Sequence, residues 1–287
     1  MAHFARLLTV ALVCLCGFGG VARAQPPAGA PGLKHPRWTH AFDLRARKST
    51  EPTFTDKTKA FGVEVFRDDY NGNGVYLDAV GSLAVLPHFK NVAAPLPGPK
   101  EPEWLHGLDL KCRSAGEKEF TRDTRVYSIE VFRDANNGNL IYVMETGAIA
   151  VVAGPAEAGA APPKARAPEW LHGLDLKVRK AGEHDFTPKT TAYSLEVFRD
   201  ANNANLVYLA ETGNLAVVPG NPKLPAPTAP LRQPRWTHAL DLHCRQAGEA
   251  DFTPKTRVFS VEVFRDENTA ATVYLADGGT LAAAAAE

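Results

Sequence analysis

The chain has 287 residues, of which 45% are hydrophobic, and its 32 basic and 32 acidic residues give a net charge of zero. A chain without excess positive charge has no general attraction to a phosphate backbone, so nucleic acid is not expected as a partner. This hydrophobic content is ordinary for globular proteins and leaves the fold class open.

Residues 1–24 predict a secretory signal peptide. The run 7–18 is almost wholly apolar, and Ala22 and Ala24 place small residues where a signal peptidase cleaves. A membrane-spanning helix needs about 20 apolar residues, which this run does not reach. We therefore expect a secreted or extracytoplasmic protein (periplasmic or at the cell surface). Its mature chain would start at Gln25 and would have no transmembrane segment.

After an N-terminal linker at 25–35, the chain consists of four tandem copies of one unit with a period of 66 residues. The repeats, numbered 1 to 4, are 36–87, 102–153, 168–219 and 234–287. The Pro- and Ala-rich linkers are 88–101, 154–167 and 220–233. Such linkers are typical of semi-rigid spacers.

Each repeat predicts four β-strands, which we name A to D. In repeat 3, apolar and polar residues alternate from Trp170 to Val178, as in a half-buried strand A. Strands B, C and D are predicted at 193–200, 206–209 and 215–218, where β-branched and aromatic residues predominate. A glycine before each strand D marks a turn, so B, C and D should form an antiparallel meander.

An Asn-Gly dipeptide between strands B and C, at 71–72 and 137–138, favours a two-residue hairpin turn with positive φ angles. Centring the turn there places an arginine of strand B opposite a tyrosine of strand C in a cation–π contact. The predicted pairs are Arg67/Tyr76, Arg133/Tyr142, Arg199/Tyr208 and Arg265/Tyr274. Alanine replaces glycine at 204 and 270, so the loops of repeats 3 and 4 are expected to differ.

The fold class is therefore all-β, with four tandem four-stranded antiparallel units. We predict a string of such modules, with a closed four-bladed β-propeller as the alternative. A unit of about 50 residues is marginal alone, which favours association of the units. The long Pro-rich linkers favour the string, because connections in compact bodies usually have about 2–6 residues.

Strand A of every repeat contains the motif Trp-x-His-x-x-Asp-Leu. The histidines are His40, His106, His172 and His238. Residues three apart in a regular strand face opposite sides, so this His and Asp cannot converge within one repeat. The pattern favours a structural histidine beneath the tryptophan over a metal ligand, and any chemistry would need residues from different repeats.

Other catalytic patterns are weak. The segment 68–74 has some oxygen ligands of a calcium loop but lacks its distal acidic residue, and turn chemistry explains it. Glutamate and aspartate of the repeated Glu-Val-Phe-Arg-Asp lie about 13 Å apart along a strand, too far for a glycosidase pair. The glutamates are expected either to pair with arginines or to line the sheet. They are Glu64, Glu130, Glu196 and Glu262, and the arginines are Arg47, Arg113, Arg179 and Arg245. No metal or cofactor is expected.

Tryptophan and cysteine leave alternatives open. Trp38, Trp104, Trp170 and Trp236 would stack on sugar rings or partner side chains if exposed, but their place in an apolar alternation favours the core. Cys112 and Cys244 remain after the leader and occupy the same position in repeats 2 and 4. They are either a candidate disulfide or two small apolar side chains.

Four copies of a weak site raise avidity without any new contact. The sequence therefore predicts an exported, non-catalytic protein that binds a glycan, an envelope component or an exported protein multivalently, or is a structural element. The candidate binding residues are the four tryptophans, the four histidines and the strand-B arginines. The alternative is a propeller-type enzyme or metal-binding protein with a site formed between repeats.

Overall fold

The computed structural model describes residues 36–69, 71–87, 89, 95–154, 165–220, 227, 229–244, 246 and 251–285. The predicted signal peptide and N-terminal linker lie outside these residues. The described secondary-structure elements are all β-strands, and no helix among the described residues has the length and hydropathy needed to cross a membrane.

Each repeat forms one antiparallel sheet with the strand order A-B-C-D. Strand A is β1 Arg37–Ala46, β5 Glu103–Cys112, β9 Glu169–Val178 and β13 Arg235–Cys244. Strand B is β2 Lys59–Arg67, β6 Arg125–Arg133, β10 Thr191–Arg199 and β14 Arg257–Arg265. Strand C is β3 Gly74–Asp78, β7 Leu140–Met144, β11 Leu206–Ala210 and β15 Thr272–Ala276. Strand D is β4 Leu83–Leu86, β8 Ile149–Val152, β12 Leu215–Val218 and β16 Leu281–Ala284. The predicted four-stranded tandem units are confirmed.

The turn between strands B and C is longer than predicted. In repeat 2, Asp134 N donates to Asn139 O and Gly138 N donates to Asp134 O, which closes a loop over 134–139. Strand pairing therefore starts later, and the predicted Arg–Tyr pairs are wrong. The arginines instead pair across the strands with other residues, as Arg67↔Gly74, Arg133↔Leu140, Arg199↔Leu206 and Arg265↔Thr272.

The expectation that the alanine-containing loops differ is also wrong. Ala204 and Ala270 adopt φ angles of 67° and 62°, in the same left-handed region as Gly138 at 85°. Their amides donate to Asp200 O and Asp266 O at 2.7 Å, as the glycine amide does in repeat 2. The hydrogen bonds of this loop therefore outweigh the steric cost of a left-handed alanine.

A register shift in strand pairing beside the tryptophan changes which side chains of strand A face the core. In repeat 1 the shift lies between Trp38 and His40. His40 is fully buried, whereas Trp38 is 41% exposed. A bulge moves the following residues to the opposite face. The prediction that tryptophan shares the core face of the alternation is therefore wrong.

Successive sheets pack face to face in a propeller-like arrangement. Strand A of one sheet lies against strands B and C of the next, and neighbouring D strands also pack together. We call the side of a sheet that faces the following repeat its forward face, and the opposite side its rear face. The interface between two successive repeats is a junction, numbered 1 to 3.

The hydrophobic cores lie in these junctions. In junction 1, forward-face residues such as Leu44 and Phe61 pack with rear-face residues of repeat 2 such as Ile141 and Val143. Junctions 2 and 3 combine repeats in the same way. Each repeat therefore depends on its neighbours for burial, as in other repeat architectures.

In the part of the chain that the structure describes, the first and last sheets each have one face with no neighbouring sheet. Among the described strands, none of those in repeat 1 packs extensively against repeat 4. Leu83, on the rear face of repeat 1, is 58% exposed, whereas its counterpart Ile149 is 5% exposed. Leu242, on the forward face of repeat 4, is 50% exposed, whereas Leu110 is fully buried.

Candidate binding grooves and the buried network beneath them

Each junction buries a histidine of one repeat against an aspartate of the next. The Nε2–Oδ2 distance is 2.9 Å in all three pairs, His40–Asp134, His106–Asp200 and His172–Asp266. All six side chains are at most 1% exposed. The partner is the aspartate that follows strand B of the next repeat, and not the aspartate three residues further along strand A.

In junctions 1 and 2, a tyrosine and two asparagines complete this network. In junction 2, Tyr142 Oη donates to Asp200 Oδ2 at 3.0 Å, and Asn203 and Asn205 donate to Tyr142 Oη at 2.7 and 3.1 Å. The backbone N–H of Asn202 donates to Asp200 Oδ1 at 3.0 Å. Both oxygens of the buried carboxylate therefore have donors, as a buried charge requires.

The network keeps its aspartates ionised. Burial raises the pKa of Asp266, but the hydrogen bond and charge of His172 and the donors Thr269 and Asn268 lower it to a net value of about 2. Burial likewise opposes ionisation of Asp134 and Asp200, yet their histidine partners hold both pKa values below the ordinary one. These carboxylates accept hydrogen bonds at any pH near neutrality.

The His–Asp pairs lie between repeats, where any chemistry was predicted to be, but solutes have no access to them. Among the described residues, no three metal-ligating side chains converge. The Nδ1 atoms of His106 and His172 are buried without a hydrogen-bond partner in the described structure. The sequence predicted that the histidine would lie beneath its own tryptophan. In the structure it lies beneath the next sheet. The geometry suits a structural contact between sheets.

Nearer the surface, an arginine of one repeat and a tryptophan of the next share one glutamate. Arg47 Nε donates to Glu130 Oε1 at 2.6 Å, and Trp104 Nε1 donates to Glu130 Oε2 at 2.7 Å. The same contacts recur as Arg113–Glu196–Trp170 and Arg179–Glu262–Trp236. The predicted Arg–Glu pairing is confirmed, and it crosses the junction. Arg245 lies outside the described residues.

This arginine explains a glycine in strand A. A Cβ atom on Gly107 would overlap Arg47 Nη2, and one on Gly173 would overlap Arg113 Nη2. Repeat 4 has Ala239 at this position, and there Arg179 makes a second hydrogen bond, from Nη2 to Glu262 Oε2 at 3.1 Å. Glycine in repeats 2 and 3 thus makes room for the guanidinium group of the preceding repeat.

Trp104 also lines an open groove. Trp104 is 44% exposed, and Phe54 of repeat 1 meets it edge to face with ring centroids 5.8 Å apart. The groove has a volume of about 390 Å³, and Asp43 and Arg45 of repeat 1 add charged groups to its lining. Both repeats therefore contribute to the site.

The aromatic pair recurs at the other two junctions. The ring centroids of Phe120 and Trp170 are 5.6 Å apart, and those of Phe186 and Trp236 are 6.1 Å apart. Trp38 donates to Glu64 in the same way, but no phenylalanine from another described repeat accompanies it. Among the described residues, we call the surface around each of these three aromatic pairs a junction groove, and the surface around Trp38 a half-groove.

The predicted binding residues do not form one site. The tryptophans lie in the grooves, whereas His40, His106 and His172 lie in the buried network. His238 is exposed on the forward face of repeat 4. Arg133 and Arg199 pair with Glu103 and Glu169 of their own repeats at 3.0 and 3.2 Å. Sequence reasoning missed Phe54 and its equivalents, although they recur with the same 66-residue period.

The candidate disulfide is not formed, since both cysteines are free. Cys112 is buried in junction 2, with Sγ 3.5 Å from Leu209 O, and Cys244 is exposed on the forward face of repeat 4. The two cysteines occupy the same position in repeats 2 and 4. The sheet of repeat 3 lies between them and keeps them apart. The alternative, a small apolar side chain facing the core, holds for Cys112.

Comparison with protein-family models, with curated proteins and with solved structures found no match to this chain.

Proposed function

We propose that the protein is an exported, non-catalytic binding protein whose three junction grooves bind a saccharide chain. The observation that carries the proposal is the indole group found in every groove, which is more than two-fifths exposed yet held in place. Indole faces stack on the apolar faces of sugar rings, while charged side chains accept and donate hydrogen bonds to hydroxyl groups.

The grooves are preorganised. The hydrogen bond from Trp104 Nε1 to the buried Glu130 and the edge contact with Phe54 fix the ring before any ligand arrives. Arg47 stacks over Phe54 at 5.6 Å and holds the same glutamate, so the junction itself positions the aromatic pair. A rigid aromatic platform reduces the ordering cost of binding.

Repetition favours a polymeric ligand. Packed sheets lie about 10 Å apart, so neighbouring grooves are within reach of one extended polymer chain. Weak sites that engage one polymer together gain avidity through their high effective concentration. A saccharide polymer of a cell envelope or extracellular matrix has the required repeated chemistry, and it agrees with the predicted export.

The test is retention on insoluble peptidoglycan, chitin and cellulose, measured as the bound fraction over a concentration series. Replacing Trp104, Trp170 and Trp236 together by alanine should weaken retention by at least tenfold, since each aromatic contact contributes about 0.5–1.5 kcal/mol. Trp38→Ala, in the half-groove, is the matched control and should change it less than about threefold. The proposal would be refuted if the protein bound none of the three polymers, or if the triple variant were retained as well as the unmodified protein.

Export has its own test. The N-terminal sequence of the protein recovered outside the cytoplasm should begin at Gln25, because cleavage after Ala24 follows the signal-peptidase pattern. Retention of the protein in the cytoplasm would exclude an exported function whatever the grooves bind, and an intact leader on the exported protein would contradict cleavage after Ala24.

A further inference from the structure

The forward face of repeat 4 reproduces one half of an internal junction. Its residues His238, Leu242 and Tyr274 occupy the positions of His106, Leu110 and Tyr142, which junction 2 buries almost completely. In repeat 4, His238 and Leu242 are exposed and Tyr274 is partly exposed. This face thus carries the histidine, the tyrosine and the apolar groups that elsewhere contact a following repeat.

The rear face of repeat 1 reproduces the other half. Leu77, Leu83 and Val85 are 39%, 58% and 48% exposed. Their counterparts Val143, Ile149 and Val151 are at most 7% exposed because repeat 1 covers them. Glu64 and Asp68 stand at the positions of Glu130 and Asp134, the acceptors of the preceding repeat's arginine and histidine. Exposed apolar surface of this kind marks an interaction site.

We propose that the chain associates head to tail with a second copy of itself. The forward face of repeat 4 in one copy packs on the rear face of repeat 1 in the next, in the geometry of the internal junctions. His238 and Tyr274 then take the places of His106 and Tyr142, and Asp68 of the second copy takes the place of Asp200. The proposal does not depend on what the grooves bind.

The two faces are complementary because the molecule already contains this interface three times. A four-stranded face about 20 Å wide and about 25 Å long has roughly 500 Å² of flat area. That is slightly below the roughly 600 Å² that each partner buries in the smallest standard interfaces, so an affinity in the micromolar range is expected. The contact joins two different surfaces, so it leaves a free face at each end and generates linear oligomers.

The experiment uses a chain covering 25–287, which contains the whole compact unit His35–Glu287. Sedimentation velocity between roughly 1 and 100 µM should show a weight-average mass that rises with concentration. Leu83→Lys blocks the rear end and Leu242→Lys blocks the forward end. Each variant alone should remain monomeric, with the association constant lowered at least tenfold.

Mixing the two variants is the decisive measurement. The lysine at 83 leaves a functional forward face, and the lysine at 242 leaves a functional rear face, so the mixture should form one-to-one dimers that cannot grow. Leu231→Lys, at an exposed leucine in a linker, is the control and should assemble like the unmodified chain. Circular dichroism melts verify that all variants are folded.

Three results would overturn the proposal. The first is an unmodified chain that stays monomeric throughout the concentration range. The second is assembly that survives either end substitution, because a different surface would then be responsible. The third is a mixture of the two variants that fails to dimerise although the unmodified chain assembles, because the two ends would then not contact each other.

Discussion

Removing Asp200 should destabilise the chain far more than removing its equivalent in repeat 1. In junction 2, Asp200 Oδ2 accepts hydrogen bonds from His106 at 2.9 Å and from Tyr142 at 3.0 Å, and all three side chains are buried. Asp200→Ala leaves the histidine and the tyrosine without their charged acceptor. Asn203 also loses a bond to Asp200 but keeps its bond to Tyr142 Oη.

The magnitude follows from the two bonds that have no substitute. Hydrogen bonds to charged groups contribute about 1.5–3 kcal/mol each. We therefore expect Asp200→Ala to lower the free energy of unfolding by about 4 kcal/mol. For a unit of this size, that corresponds to a decrease in melting temperature of about 10 °C.

The assay is urea-induced unfolding, followed by tryptophan fluorescence because Trp170 lies at the same junction. Asp68→Ala is the control, because Asp68 is the equivalent residue of repeat 1, where it is only partly buried and the described strands include no preceding sheet. This control substitution should lower the free energy of unfolding by about 1 kcal/mol, which is the usual contribution of a hydrogen bond within a turn. A double-mutant cycle of His106→Ala with Asp200→Ala should give a coupling of about 2 kcal/mol or more.

Equal losses for the two aspartate variants would refute this reasoning. The aspartate would then act through its own B–C loop, and the contact with the preceding repeat would contribute little. A coupling energy near zero between His106 and Asp200 would lead to the same conclusion, whatever the single variants cost.

Three further outcomes are expected. Gly107→Ala should cost less than about 1 kcal/mol of unfolding free energy, because the flexible Arg47 guanidinium can shift and keep Glu130. Arg179 keeps its bonds to Glu262 beside Ala239, and thermal melts against the exposed Gly278→Ala measure the effect. Ala204→Gly should stabilise by about 0.5–1 kcal/mol in the same melts, because it relieves a left-handed alanine. The pKa of Asp266 falls on folding to about 2, so its ionisation stabilises the fold above the unfolded pKa of about 4. About 2 kcal/mol should be lost as the pH falls from about 4 to about 2, and acid titration of Asp266→Asn should show a smaller loss.

The strands were predictable because their determinants are local. Alternation and β-branched residues indicated β9, β10, β11 and β12 almost to the residue, since these patterns depend only on neighbouring side chains. The register of the B–C pair was not predictable from the Asn-Gly dipeptide. Asp134 closes a six-residue loop with its backbone N–H and C=O groups, which a dipeptide rule does not include.

The site was less predictable, because its contacts join residues from different repeats. The register shift beside Trp38 places the tryptophan and the histidine on opposite faces of strand A. No residue in the motif indicates this shift. The aspartate that follows strand B was considered as a calcium-loop ligand, a glycosidase carboxylate and a turn residue. Its partner was not considered, although His40 meets Asp134 from 94 positions away. The 66-residue period alone shows which residues recur. The sequence separation between contacting residues of successive repeats depends on how the sheets stack.

The same stacking gives a reason for the invariant spacing of the repeats. Each junction requires the histidine and arginine of one sheet to meet the aspartate and glutamate of the next, so the linker must return the chain to one fixed position. A linker therefore tolerates changes in sequence more readily than changes in length. In solenoid proteins, terminal repeats usually have polar outer faces that stop the stacking. Here Leu83 and Leu242 remain apolar and exposed at the two ends, so the features that hold the repeats together persist where the chain could meet another copy.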